Sequence, residues 1–296
     1  MVVLKNCHSI NAHTYTIQKC SESICWSLFY FTSSFLSVCD VTPPQSLITG
    51  HRGASSVAPE NTLSAFRTAW EIGCDAIEGD FRLTRDGIIV CIHDSNTQRT
   101  TGIHKEVSEV SFSSLQELDF GAWKDTRFVG EACPTIDEVL ATVPPHRHIF
   151  IELKTGPKII QPLKTSLHKS SLLKEQIILI TFNRETAKQC KRFLPEYRLH
   201  WLTKFQRLEN KPDSWFPSVK ELASTAHDIG ADGVGLQANR HVVTKQFLQQ
   251  LKAAGISEFH VWTVDDPEDA IFFIREGAFA VATNTPARLR DHIQIP

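Results

Sequence analysis

From residue 47 onward, apolar positions along the chain follow two alternating rhythms. Short β-branched runs over 47–50, 76–82, 147–153, 177–182, 197–202, 233–237, 259–264 and 279–283 read as strands. Between most of them, apolar residues recur three and four positions apart. These stretches read as helices over 62–72, 157–169, 185–194, 218–229, 243–254 and 267–276, with a short last one near 287–292. In the first helix Leu63, Phe66 and Trp70 share a face and Gly73 ends the run, while Gly230, Gly255 and Gly277 stand where three later helices should stop. Alternation of strand and helix implies parallel strands joined by right-handed crossovers. Eight such strands predict the α/β class and, within it, a closed (β/α)8 TIM barrel, which takes roughly 250 residues. A doubly wound open sheet is the competing architecture. It is the weaker one, because no Gly-x-Gly-x-x-Gly turn follows any strand.

One stretch breaks the alternation. Residues 88–92 (IIVCI) follow the second strand after the turn Arg85-Asp86-Gly87, and Asp-Gly is a strong hairpin signal. A small antiparallel insertion after strand two is therefore expected. Folding about residue 86 sets Asp80 opposite Ile92 and Gly79 opposite His93. An excursion with little regular structure should follow over 95–135, ending where Thr135 and Glu138 have the spacing of a capping box.

In parallel barrels, functional groups gather at the C-terminal ends of strands. This sequence places His51-Arg52-Gly53 after strand one, Glu78 and Asp80 at the end of strand two, and Glu152 and Lys154 at the end of the next barrel strand. The hairpin returns His93-Asp94 to the same level. Side chains alternate along a strand, so Glu78 and Asp80 share a face, as do Glu152 and Lys154. Three carboxylates turned into one interior repel each other unless a cation sits between them. An oxygen-only donor set favours a hard ion, Mg²⁺ or Ca²⁺, over zinc. Such an ion together with Arg52 and Lys154 would complement a phosphate. His51 and His93 are then candidates for general acid and base. Taken singly, each feature has a plain reading as a solvated strand face, a surface ion pair or a turn. Their placement at the same ends of neighbouring strands argues for a site.

Composition narrows the class. Hydrophobic residues make up 42% and charged residues 22% of 296, ordinary globular usage. A formal net charge of -2 argues against a protein that coats nucleic acid. Of eight cysteines no two form Cys-x-x-Cys, and Cys74, Cys91 and Cys190 read as buried thiols. Residues 24–38 form an uncharged, mostly apolar run, too short for the ~20 residues of a spanning helix but of the length of a signal-peptide core. Residues 1–45 are accordingly read as a leader and linker, residues 46–296 as the barrel domain. Export is favoured over a cytosolic location, and membrane contact is expected only through this leader.

These motifs, taken in order, resemble one family. His51-Arg52-Gly53-Ala54, Ala58-Pro59-Glu60-Asn61-Thr62 and Ile77-Glu78-Gly79-Asp80 look like the glycerophosphodiester phosphodiesterases. So do Leu83-Thr84-Arg85-Asp86-Gly87, His93-Asp94 followed by Arg99-Thr100-Thr101-Gly102, Ile151-Glu152-Leu153-Lys154, Val261-Trp262-Thr263-Val264 and Ala282-Thr283-Asn284-Thr285-Pro286. The resemblance spans about residues 47–292. It implies a (β/α)8 barrel that hydrolyses small glycerophosphodiesters to glycerol 3-phosphate and an alcohol. It further implies one divalent cation, Mg²⁺ or Ca²⁺, on Glu78, Asp80 and Glu152, and acid–base work by His51 and His93. Arg52 and Lys154 would bind the phosphate, with Glu60 supporting that region and Trp262 walling the glycerol or head-group. Two positions depart from the family pattern: Gly79 stands where Leu is commoner, and Asn284 where many members carry Asp. Two rival functions are lysophospholipase D action on lysolipids, with Phe112, Phe120, Trp123 and Phe128 as an apolar lip, and a non-catalytic phosphodiester-binding module.

Overall fold

The computed structural model describes residues 46–209 and 211–293; the leader and linker expected over 1–45 lie outside them. Eight parallel strands close into a barrel: β1 (Leu47–His51), β2 (Ala76–Leu83), β4 (His148–Leu153), β5 (Ile177–Thr181), β6 (Arg198–Thr203), β9 (Gly233–Gln237), β10 (Phe259–Trp262) and β11 (Ala280–Thr283). Closure is made by β1, which pairs with β11 on one side and with β2 on the other, His51 lying level with Glu78. The expected strands are all present, with ends shifted by one or two residues.

The strands are apolar on both faces because both are covered. In β5, Ile178 and Ile180 join Ala76, Phe150, Leu202 and Ala280 inside the barrel, while Ile177 and Leu179 pack outward against the helices. The outer ring consists of α1 (Leu63–Glu71), α5 (Ile160–Lys169), α6 (Arg184–Phe193), α7 (Val219–Ile229), α8 (Lys245–Ala253), α9 (Pro267–Arg275) and α10 (Pro286–His292). Five of these seven helices, α1, α6, α7, α8 and α9, open on a side-chain cap. Thr62, Asn183, Ser218, Thr244 and Asp266 each accept a backbone N–H of the first turn through the side chain. Gly230 ends α7 in the left-handed region at φ 74°. Among the described residues no helix is long and apolar enough to cross a membrane.

The insertion after β2 is the expected hairpin. Strand β3 (Ile89–Cys91) runs antiparallel to β2 with Phe81 opposite Cys91, and Ile92 N donates to Asp80 O (2.8 Å). The excursion is more ordered than its composition suggests. It carries the one-turn helices α2 (Gln98–Thr101) and α3 (Phe112–Leu115), then α4 (Ile136–Leu140), which opens with the Thr135–Glu138 capping box. Its own small core holds Val90, Ile92, Leu115, Leu118 and Phe120. Phe112 also packs there, which leaves Trp123 as the exposed member of the four aromatics considered for a lip. A second hairpin, β7 (Gln206–Leu208) with β8 (Lys211–Phe216), follows β6 and was not apparent in the sequence, where the segment is polar and carries Pro212.

The lower barrel interior holds a polar layer. His200 and His260, both buried, share a proton between their Nδ1 atoms (2.8 Å), and His200 Nε2 donates to Glu258 Oε1 (2.7 Å). Two glycines make room for the rings. A Cβ at Gly235 would stand 2.4 Å from His260 Cε1, and one at Gly233 would stand 2.8 Å from His200 Nε2. Burial and the neighbouring His200 hold the His260 imidazole well below its ordinary pKa.

Candidate active site

The site is assembled at the C-terminal ends of β1, β2 and β4 and the loops that follow. After β1 the chain turns through Arg52 and Gly53, both at positive φ (56° and 81°). Only glycine fits at 53, since a Cβ there would lie 2.6 Å from the Ala65 backbone of α1. The tight turn directs Arg52 back over the barrel mouth. Its backbone N–H donates to Glu78 Oε2 (3.0 Å), its Nη1 to Glu60 Oε1 (2.9 Å), and its Nε stands 3.2 Å from Asp80 Oδ2.

Glu78, Asp80 and Glu152 are buried, and each offers a carboxylate oxygen within 4.8 Å of the others. The alternation argument therefore holds: both strand pairs face inward. Lys154 follows Glu152 and reaches back, donating to Glu152 Oε1 (2.7 Å) and standing 3.2 Å from Asp80 Oδ1. Among the described residues, Glu78 Oε1 is buried with neither a hydrogen bond nor an ion pair, while Asp80 Oδ1 has only the Lys154 ammonium beside it. Burial and the two neighbouring carboxylates push Glu78 well above the usual range. Burial and Asp80 push Glu152 up to about 7, against the pull of Lys154. Burial acts the same way on Asp80, but Lys154 and Arg52 outweigh it and hold that carboxyl below its ordinary value. Carboxylates crowded enough that two of the three resist ionisation, with Glu78 Oε1 left unbonded among them, are what a hard divalent cation would relieve.

Asn61 fixes Asp80. Its Nδ2 donates to Asp80 Oδ2 (2.8 Å), and its Oδ1 accepts the Asp80 backbone N–H (3.1 Å). Reading the sequence missed this role, although Asn61 lies in the quoted Pro-Glu-Asn motif. Glu60 is turned to guanidinium groups: Arg52 and Arg99 occupy both of its oxygens. A carboxylate so placed would only repel a phosphate, so its contribution is to hold Arg52 rather than to touch the anion itself.

The two histidines are oriented differently. His51 Nδ1 donates to Asn284 Oδ1 (2.7 Å). The amide cannot be reversed, because its own Nδ2 donates to Asp265 Oδ2 (2.8 Å) and its backbone N–H to Asp265 Oδ1 (2.7 Å). This accounts for the departure at 284: an Asp there would set two carboxylates against each other. His51 Nε2 lies 3.8 Å from Glu78 Oε2. His93 Nδ1 instead donates to a carboxylate, Asp94 Oδ1 (2.7 Å), and Arg82 anchors the His93 carbonyl through two N–H groups (2.7 and 2.9 Å). Burial holds both imidazoles below their ordinary value, with Arg52 adding to the effect. Packing under the hairpin accounts for Gly79, since a Cβ there would stand only 3.1 Å from Cys91 Sγ and from Phe66 Cζ.

A narrow cleft lined by His51, Glu78, Glu152 and Trp262 runs down to Thr49 and His260. Trp262 packs edge-to-face on Phe182 with ring centroids 5.4 Å apart, and its buried Nε1 has no hydrogen-bond partner among the described residues.

Comparison with known proteins agrees with this geometry. The model of the glycerophosphoryl diester phosphodiesterase family matches residues 51–288. A glycerophosphodiester phosphodiesterase of Caldanaerobacter subterraneus is 28% identical over 249 residues, covering 83% of this chain and 96% of the relative. One from Bacillus subtilis is 26% identical over 262 residues, covering 83% and 86%. In fold, the chain is similar to an Oleispira antarctica phosphodiesterase solved with its product sn-glycerol-3-phosphate (TM-score 0.75, 22% identity, covering 85% of this chain and 98% of that one).

Proposed function

Given that the chain belongs to the glycerophosphoryl diester phosphodiesterase family, we propose that it hydrolyses small glycerophosphodiesters to sn-glycerol 3-phosphate and an alcohol, using one divalent cation and two histidines. The observation that carries this reading is the convergence of Glu78, Asp80 and Glu152 within 4.8 Å, between two cationic side chains and two oriented imidazoles.

Glu78, Asp80 and Glu152 fit Mg²⁺ or Ca²⁺ by donor type, by their convergence within 4.8 Å and by the buried, unbonded Glu78 Oε1. Such an ion, when bound, neutralises charge on a phosphoryl oxygen and on the three carboxylates. Arg52 and Lys154 bind the remaining phosphoryl oxygens. Arg52 presents a planar fork held in place by Glu60 and Asp80, and Lys154 a point charge. His51 has its Nδ1–H committed to a neutral amide, so its Nε2 carries a lone pair and takes the proton of the attacking hydroxyl. His93 is backed by a carboxylate, which stabilises the imidazolium, and it delivers a proton to the leaving alkoxide. Trp262 walls the cleft against the glycerol or head-group side.

The experiment supplies glycerophosphocholine and glycerophosphoethanolamine to the protein after chelation, then with Mg²⁺ or Ca²⁺ restored, and measures glycerol 3-phosphate. Release only with the ion supports the reading; no release with either ion refutes it, and appearance of a lipid phosphate from a lysolipid would replace it. The roles of the histidines separate on a diester whose leaving group is p-nitrophenol, which departs without protonation. His93→Ala should lose about 10²–10⁴-fold on glycerophosphocholine and far less on the nitrophenyl ester, whereas His51→Ala should lose similarly on both. Equal losses by His93→Ala on the two substrates would refute the assignment.

A further inference from the structure

The motif Thr97-Gln98-Arg99-Thr100-Thr101-Gly102 contains a cation with no role in the mechanism above. Arg99 sits in α2, whose backbone is fixed by the fully buried Thr97: Thr97 bonds the Ile103 carbonyl through Oγ1, accepts Thr101 Oγ1 at its own carbonyl (2.9 Å) and exchanges backbone and side-chain bonds with Lys105. The guanidinium therefore has a defined place, and from it Arg99 spans two loops. Nε donates to Asp94 Oδ2 (2.7 Å), while Nη1 and Nη2 donate to Glu60 Oε2 and Oε1 (2.9 and 2.8 Å). Asp94 in turn accepts His93 Nδ1–H, and Glu60 also accepts Arg52. An unbroken chain of charge-assisted contacts thus runs from His93 through Asp94, Arg99, Glu60 and Arg52 to Asp80.

We propose that Arg99 is a positioning residue: anchored bidentately on Glu60, it holds Asp94, and through Asp94 it sets the His93 imidazole in register with Arg52 over one phosphodiester. The two ends of the chain depend on Arg99 unequally. Arg52 keeps Glu60 and Asp80 as direct partners if Arg99 is removed. Among the described residues, the Asp94 carboxylate has no tether other than Arg99 besides the histidine it orients. Loss of Arg99 should therefore act on the step that His93 serves more than on substrate capture. Lysine cannot substitute, since one ammonium cannot make a bidentate bond to Glu60 and a third bond to Asp94. The Arg99 side chain is 44% exposed, so free guanidinium can reach the place it vacates.

This inference rests on the proposed reaction, and its test has one arm that does not. In the full chain saturated with Mg²⁺ or Ca²⁺, Arg99→Ala should lower kcat ten- to a hundredfold while KM moves less than about fivefold. Millimolar guanidinium should restore a large part of kcat, and NaCl at equal ionic strength should not. Arg99→Lys should remain impaired and unrescued. Independently of turnover, ¹⁵N spectra of histidine-labelled protein should show a protected His93 Nδ1–H in the wild type, lost in Arg99→Ala and regained with guanidinium. Unchanged kcat, a folded variant that guanidinium does not rescue, or a His93 signal indifferent to Arg99 would each overturn the proposal. A wild-type protein without turnover would overturn the reaction instead, and the His93 signal would still decide the role of Arg99.

Discussion

Replacing Glu152 by Gln in the metal-free protein should stabilise the fold at pH 8. The Glu152 side chain is only 11% exposed, and its pKa stands at about 7 against an ordinary 4.5, because burial and Asp80 oppose its ionisation. A carboxyl whose folded pKa is raised is held protonated more firmly by the native state than by the unfolded chain. It costs nothing below about pH 4.5; the cost grows as pH rises toward 7 and is constant above that. At 1.36 kcal/mol per pKa unit, a rise from 4.5 to about 7 is worth on the order of 3 kcal/mol. Gln retains the acceptor that Lys154 uses and never ionises, so the variant escapes this cost. For a domain of this size the gain corresponds to roughly 6–12 °C in Tm. Thermal unfolding followed by circular dichroism in chelator at pH 8 and at pH 4.5 measures it directly. The variant should be the more stable at pH 8, equal to wild type at pH 4.5, less stabilised by added Mg²⁺ or Ca²⁺, and much slower in turnover. Equal or lower stability at pH 8, or a gain that persists at pH 4.5, would refute the account of three buried carboxylates crowded beyond what Lys154 and Arg52 balance.

Two further outcomes concern the polar layer of the lower barrel. Gly235→Ala sets a methyl group 2.4 Å from His260 Cε1 and 2.5 Å from Leu202 Cδ2, and should destabilise by about 1–3 kcal/mol in urea unfolding, as overpacking does. His260, with its folded pKa depressed, contributes stability that is present above the unfolded value of 6.5 and is lost as pH falls below it. The loss should run at roughly 1.4 kcal/mol per pH unit until its folded pKa is reached. His260→Gln should flatten this acid-side loss relative to wild type, and parallel slopes would show that another group is responsible.

The order of elements was legible because each strand is apolar on both faces and each helix on one, and this periodicity is local. The convergence of charged groups at the barrel mouth was legible for a related reason. Glu-x-Asp and Glu-x-Lys on strands share a face by backbone geometry alone, and Asp-Gly fixes the hairpin register that brings His93 back beside Asp80. What the tertiary structure decided are relations between residues far apart in the chain. Asn284 orients His51 from 233 positions away, and Asp265 in turn fixes the amide. Arg99 shares Glu60 with Arg52 from 39 positions away and ties it to Asp94. The His200–His260 pair and the two glycines that admit it depend on three strands meeting inside a closed barrel, and no pattern along any one of them announces it. The second hairpin escaped for the opposite reason: a short, polar pair above the barrel buries too little apolar surface to leave a periodic signal. Local patterning thus determined which residues could face the barrel mouth. Partnership among buried polar groups, where each donor must find its acceptor across the fold, was settled only by closure of the barrel.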